Sequence, residues 1–225
     1  MTIKRIRLDG PVNEANRPAL VLALRLMTAA ESIRSALRGL SRLPKDDSPA
    51  TEADRYYHLF AAVGACGEAI KVIKRSVSEG YIAHTLVEDD AGLAATLDRI
   101  TADPAARDVK VAMRARDKYW AHWDDDVASR FITGITGTPS DPPMIESSGD
   151  GAHAETAHRW VRLAWFADLE HQFGLATGDE AVEMVQGMMD LVRQVNDLAG
   201  SLVVRVLKRA GLSTVFDPPT PRSSE

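Results

Sequence analysis

The chain has 225 residues, 45% of them apolar and 26% charged, which leaves room for a sizeable core and is ordinary for a globular protein. Its net charge of −5 argues against a general nucleic-acid coat, which needs a broad basic surface, although gripping a few phosphates needs only a few cations. One cysteine, Cys66, excludes a disulfide framework or a multi-cysteine metal site within one chain. The N-terminal "MTIKRIRLDGPVNEANRP" lacks the apolar run of a secretory signal, and no apolar segment is long enough to span a bilayer. A cytoplasmic protein without a membrane partner is the expectation.

A first helix is predicted over 18–40, where Leu20, Leu24, Met27, Ala30, Ile33, Leu37 and Leu40 recur every three to four residues. "PKDDSPA" ends it. A second covers 51–79, opened by a Thr51/Asp54 capping box, with Tyr56, Phe60, Val63, Gly67, Ile70 and Val77 on one face. Gly64 and Gly67 cost helix propensity there and are read as points where another helix approaches closely. A short helix follows at 91–101. A fourth runs from 104 to 123, with Pro104 in a tolerated first-turn position. Residues 131–154 are rich in Gly, Pro, Ser and Asp and read as a long loop. The 134–173 region as a whole accommodates either a small hairpin or an extra helix, with helix preferred over 156–173. The last helix is capped by Thr177 and Glu180 and stopped by Gly211. Between them Val182, Val185, Met188, Met189, Val192, Val195, Leu198, Leu202, Val206 and Leu207 keep the helical period. Residues 213–225 read as a disordered tail. The fold class is an all-α bundle of long antiparallel helices in one domain, 1–212.

Met184, Met188 and Met189 are core or interface residues at this spacing. His153, His158 and His171 have no convincing zinc spacing, and His58 and His84 are isolated, so neither a metal nor another cofactor is expected. The chemically densest stretch is "RARDKYWAHWDDD" at 114–126. The apolar stripe of the fourth helix runs Val109, Ala112, Met113, Trp120 and Trp123, and the period puts Arg116 in its middle. A buried guanidinium cannot be neutralised and needs a partner or an anion. Arg116, Tyr119 and His122 follow at intervals of three and share one face of an α-helix. Arginine can grip a phosphate, and histidine can move protons at neutral pH. On a purely structural alternative, Arg116 pairs with a nearby acid, His122 is a helix-end residue, and Asp124 to Asp126 cap the next helix.

"RDKYWAHWD" resembles the signature of the HEPN superfamily, in which an arginine and a polar residue lead through a short spacer to a histidine near a helix end. Arg116 and Asp117 match the first two positions, and five residues separate Arg116 from His122. Ala121 and Asp124 look like the abortive-infection branch. The resemblance implies a HEPN-like core over about 15–130, leaving 156–212 as a C-terminal helical elaboration. It further implies a metal-independent endoribonuclease with a composite site at a homodimer interface, serving phage defence or a toxin–antitoxin system. Arg116, His122 and Asp117 would then be catalytic. Arg116 would hold the scissile phosphate, His122 would serve as general acid or base, and Asp117 would orient one of them. Lys118 and Tyr119 would bind the RNA substrate, and a nucleotidyltransferase-like antitoxin is a candidate partner. Two alternatives stay open: a non-catalytic HEPN-like binding or regulatory module, and a toxin silenced by nucleotide transfer onto Tyr119.

Overall fold

The computed structural model describes residues 5–8, 13–46, 48–120 and 178–216. They form β1 (Arg5–Leu8), α1 (Arg17–Arg42), α2 (Pro49–Ser78), α3 (Ala91–Thr101), α4 (Arg107–Arg114), a π-helical segment (Ala115–Trp120), α5 (Gly178–Arg209) and β2 (Ser213–Phe216). A 3-10 turn, His84–Leu86, lies between α2 and α3. Among the described residues the fold is all-α apart from one antiparallel strand pair. No described helix is long and apolar enough to cross a membrane.

Local chemistry sets most helix ends. Ser48, rather than Thr51, is the N-cap of α2: its Oγ accepts from Thr51 N at 3.3 Å. Pro49 follows in the first turn, where its missing N–H costs nothing. Both long helices α2 and α5 finish on a glycine in the left-handed region, Gly80 (φ 77°) and Gly211 (φ 67°). In each case the next residue donates back across the last turn, Tyr81 N to Ser76 O and Leu212 N to Leu207 O, both 2.9 Å. Asp90 Oδ1 caps α3 by accepting from Gly92 N and Leu93 N at 3.0 and 3.1 Å.

α1 and α2 run antiparallel, as contacts at both ends require: Gly39 lies against the His58 ring, and Arg25 lies near Glu68. α5 packs on both, and α3 packs on α5. The centre holds Leu26 and Ile33 of α1, Ile70 and Ile73 of α2, and Met188, Leu191 and Leu198 of α5, all fully buried. Leu97 and Ile100 of α3 join them. Met184 is buried and Met189 half-buried in the same core.

Three further expectations are corrected. The buried face of α1 is Leu22, Ala23, Leu26, Ala29, Ala30, Ile33 and Ala36, whereas Leu24 and Met27 are about half exposed. This helix is apolar on more than one side, so its period alone fits two stripes, and packing against α2 and α5 selects one. The helix expected over 104–123 starts at Arg107, with Pro104 ahead of it, and its α-helical part stops at Arg114. Residues 213–216, expected to begin a disordered tail, pair as β2 with β1 in the register Arg5↔Phe216 to Leu8↔Ser213. That pairing joins the chain before α1 to the chain after α5. The 131–154 loop, the 156–173 helix, the Thr177 cap and the tail beyond 216 lie outside the described residues.

Cys66 is fully buried on α2. Burial pushes its thiol pKa up, and the Asp108 carboxylate adds to the shift. The thiolate is the reactive form, so the native protein is expected to resist maleimide at pH 8 and to label fully once denatured. Fast native labelling at the unfolded rate would contradict this packing.

Candidate functional site around Arg116

α2 carries an apolar run, "LFAAVGACGEAI" at 59–70, in which Glu68 is the one charged residue. Among the described residues it is contacted by α1, α3, α4, the π-helical segment and α5. α4 lies against it at Gly67. A Cβ added there would meet Ala112 O at 2.2 Å and the Arg116 Cβ at 2.8 Å. Only glycine allows so close an approach, as expected for this position from the sequence. The next residue, Glu68, is thereby placed beside Arg116.

Arg116 follows the junction where α4 gives way to the π-helical segment. Ala115 is buried, and the Arg116 side chain keeps 25% of its surface exposed. Its Nε donates to Glu68 Oε2 at 2.6 Å, and its Nη1 donates to Asp117 Oδ1. Glu68 Oε1 also lies 3.8 Å from Arg25 Nη2. Two guanidinium groups and two carboxylates therefore alternate across the surface from α1 to α2 to the π-helical segment, with no net charge. Burial alone works against the Arg116 charge, but the bonds to Glu68 and Asp117 outweigh it and raise its pKa. The sequence expectation that this arginine needs a partner is met by two acids.

Lys118 and Tyr119 follow on the same π-helical segment. Its i→i+5 bonding fits more residues into each turn than an α-helix. The wheel that set Arg116, Tyr119 and His122 on one face therefore does not carry through 115–120. His122, Trp123 and Asp124 to Asp126 lie outside the described residues. π-helical turns occur frequently at functional sites, because they reposition side chains at the cost of regular bonding.

Sequence reasoning missed Glu68 and Arg25. The signal for Glu68 was present: a single carboxylate in an apolar run answers a single arginine in an apolar stripe. Among the described residues, no three His, Cys, Asp or Glu side chains are grouped so as to hold a metal ion. No protein-family model, curated protein or solved structure matches the chain.

Proposed function

We propose that the protein is a metal-independent endoribonuclease of the HEPN type, working in phage defence or a toxin–antitoxin system from a composite site at a homodimer interface. One observation carries the reading: Arg116, in the motif that resembles the HEPN signature, is a partly exposed guanidinium fixed on a π-helical turn by Glu68 and Asp117. A guanidinium held in place beforehand can take a phosphate without the ordering cost of a loose side chain. In this mechanism Arg116 binds and polarises the scissile phosphate. His122 removes the proton of the ribose 2′-hydroxyl or supplies one to the leaving 5′-oxygen, and a cyclic phosphate remains. Asp117 holds Arg116 in place, while Lys118 and Tyr119 contact the strand. An antitoxin of the nucleotidyltransferase-like kind would restrain it.

The test is cleavage of end-labelled single-stranded RNA by the purified protein in EDTA, with light scattering on the same sample. The expected result is cyclic-phosphate products from a dimer. Activity that disappears in EDTA and returns with magnesium sinks the mechanism, and a monomer at micromolar concentration sinks the composite site. The second reading, a non-catalytic binding or regulatory module, is favoured by the same cluster's neutrality: both carboxylates already sit on Arg116, so an incoming phosphate must compete with them. RNA binding without cleavage would select it.

A further inference from the structure

We propose that the groove between the first turns of α1 and the C-terminal end of α2 holds the sugar–phosphate backbone of the RNA strand whose scissile phosphate lies on Arg116. This rests on the ribonuclease reading above. The groove has a volume of about 500 Å³. Arg17 and Arg25 line it from α1, and Arg75 lines it from α2. Arg17 and Arg25 are eight residues apart, so they share one side of the helix about 12 Å apart along its axis. Glu14 and Glu79 also line the groove, and Glu79 is taken up by Arg75, whose Nε donates to it at 2.6 Å. Arg17 makes no ion pair among the described residues. Arg25 is shared with Glu68 and Arg75 with Glu79, so Arg17 is the cation of the groove lining that no carboxylate among the described residues takes up.

Position ties the groove to the site. Arg25 lines the groove and also approaches Glu68, the carboxylate that holds Arg116 Nε. A strand leaving Arg116 along α1 meets Arg25 first and Arg17 next. The planar fork of arginine suits phosphate oxygens. Tyr81, 46% exposed, puts an aromatic ring in the groove lining on which a base can stack, and Val21 adds apolar surface to the same lining. Cations in line with Arg116, together with an exposed aromatic ring, favour a nucleic-acid strand over an acidic peptide, which needs charge alone.

The experiment measures binding of a fluorescein-labelled, 2′-O-methyl single strand of about 12 nucleotides to the full chain by anisotropy. Without a 2′-hydroxyl the strand cannot be cleaved by the proposed route, and cleavage of unmodified RNA is measured separately. Arg17→Ala is expected to weaken binding about fivefold, the upper end for an exposed charge contact. The salt slope should become shallower by about 0.7 for the lost phosphate contact. Arg17→Glu should weaken binding further, and Lys208→Ala, at the exposed end of α5, should leave it unchanged. If the parent binds and Arg17→Ala binds equally well, the groove is overturned while the ribonuclease reading is decided by cleavage. Arg17-dependent binding without cleavage keeps the groove and removes the nuclease. Absence of strand binding overturns the groove. So does equal, Arg17-dependent binding of a polyglutamate peptide, or inorganic phosphate binding as tightly as the strand.

Discussion

On the proposed mechanism, His122→Ala and Arg116→Ala are each expected to abolish most RNA cleavage, with His122→Ala lowering the rate by about 10²–10⁴, the usual worth of a positioned general acid or base. Loss of Arg116 would, on that mechanism, remove charge stabilisation at the phosphate, worth about 10²–10³ for a single donor of that kind. Neither variant should melt far from the parent. Arg116 bonds to Glu68 and Asp117, whose side chains are 41% and 45% exposed, so solvent screens the pairs. Their loss costs under about 1 kcal/mol, a shift of roughly 2–4 °C for a chain of this size. If Arg116 and His122 are only structural, cleavage is unchanged in both variants. Cleavage separates the outcomes, melting of the same two proteins shows that a loss of cleavage is not unfolding, and parent-like values for both would reduce residues 114–126 to an ordinary helix end.

Gly67→Ala lowers the melting temperature, although the same exchange in most helix interiors raises stability by about 1 kcal/mol. The added methyl carbon would sit 2.2 Å from Ala112 O. That neighbour is backbone, so α4 must move off α2 as a unit. Forced overpacking costs about 1–3 kcal/mol. The net loss reaches about 2 kcal/mol, a fall of as much as roughly 8 °C. Gly187→Ala on α5 is the control, because an added Cβ there meets nothing within 4 Å. It should gain the ordinary helix propensity and melt higher. The displacement in Gly67→Ala also pulls Arg116 away from Glu68, so cleavage should fall together with stability. A Gly67→Ala protein that melts above the parent would refute the close approach of the two helices.

Much of the architecture was legible because its signals are local. α3 appears at the predicted 91–101, and α1, α2 and α5 end within a few residues of their expected bounds. Prolines, glycines and polar caps act through backbone geometry that the sequence states directly. The close approach at Gly67 was legible for the same reason, since a glycine within an apolar helical face has few other uses.

At Arg116 the sequence stated the need for a partner without naming it. The arginine falls in an apolar stripe, and its compensating acid is Glu68, 48 residues away in the chain. Which carboxylate answers depends on how α4 crosses α2, and no local period encodes a crossing. The same holds for α1, where Leu24 and Leu26 are equally apolar in sequence but only Leu26 faces α2 and α5. The π-helical turn at 115–120 also departs from local preference, because the residues there would continue an α-helix. The pairing of β1 with β2 joins residues more than 200 positions apart. The sequence by itself determined where α1, α2, α3 and α5 lie to within a few residues and that Arg116 could not stand alone. Tertiary structure decided which faces meet and which charges pair, because those choices rest on distances between segments that no neighbouring residue specifies.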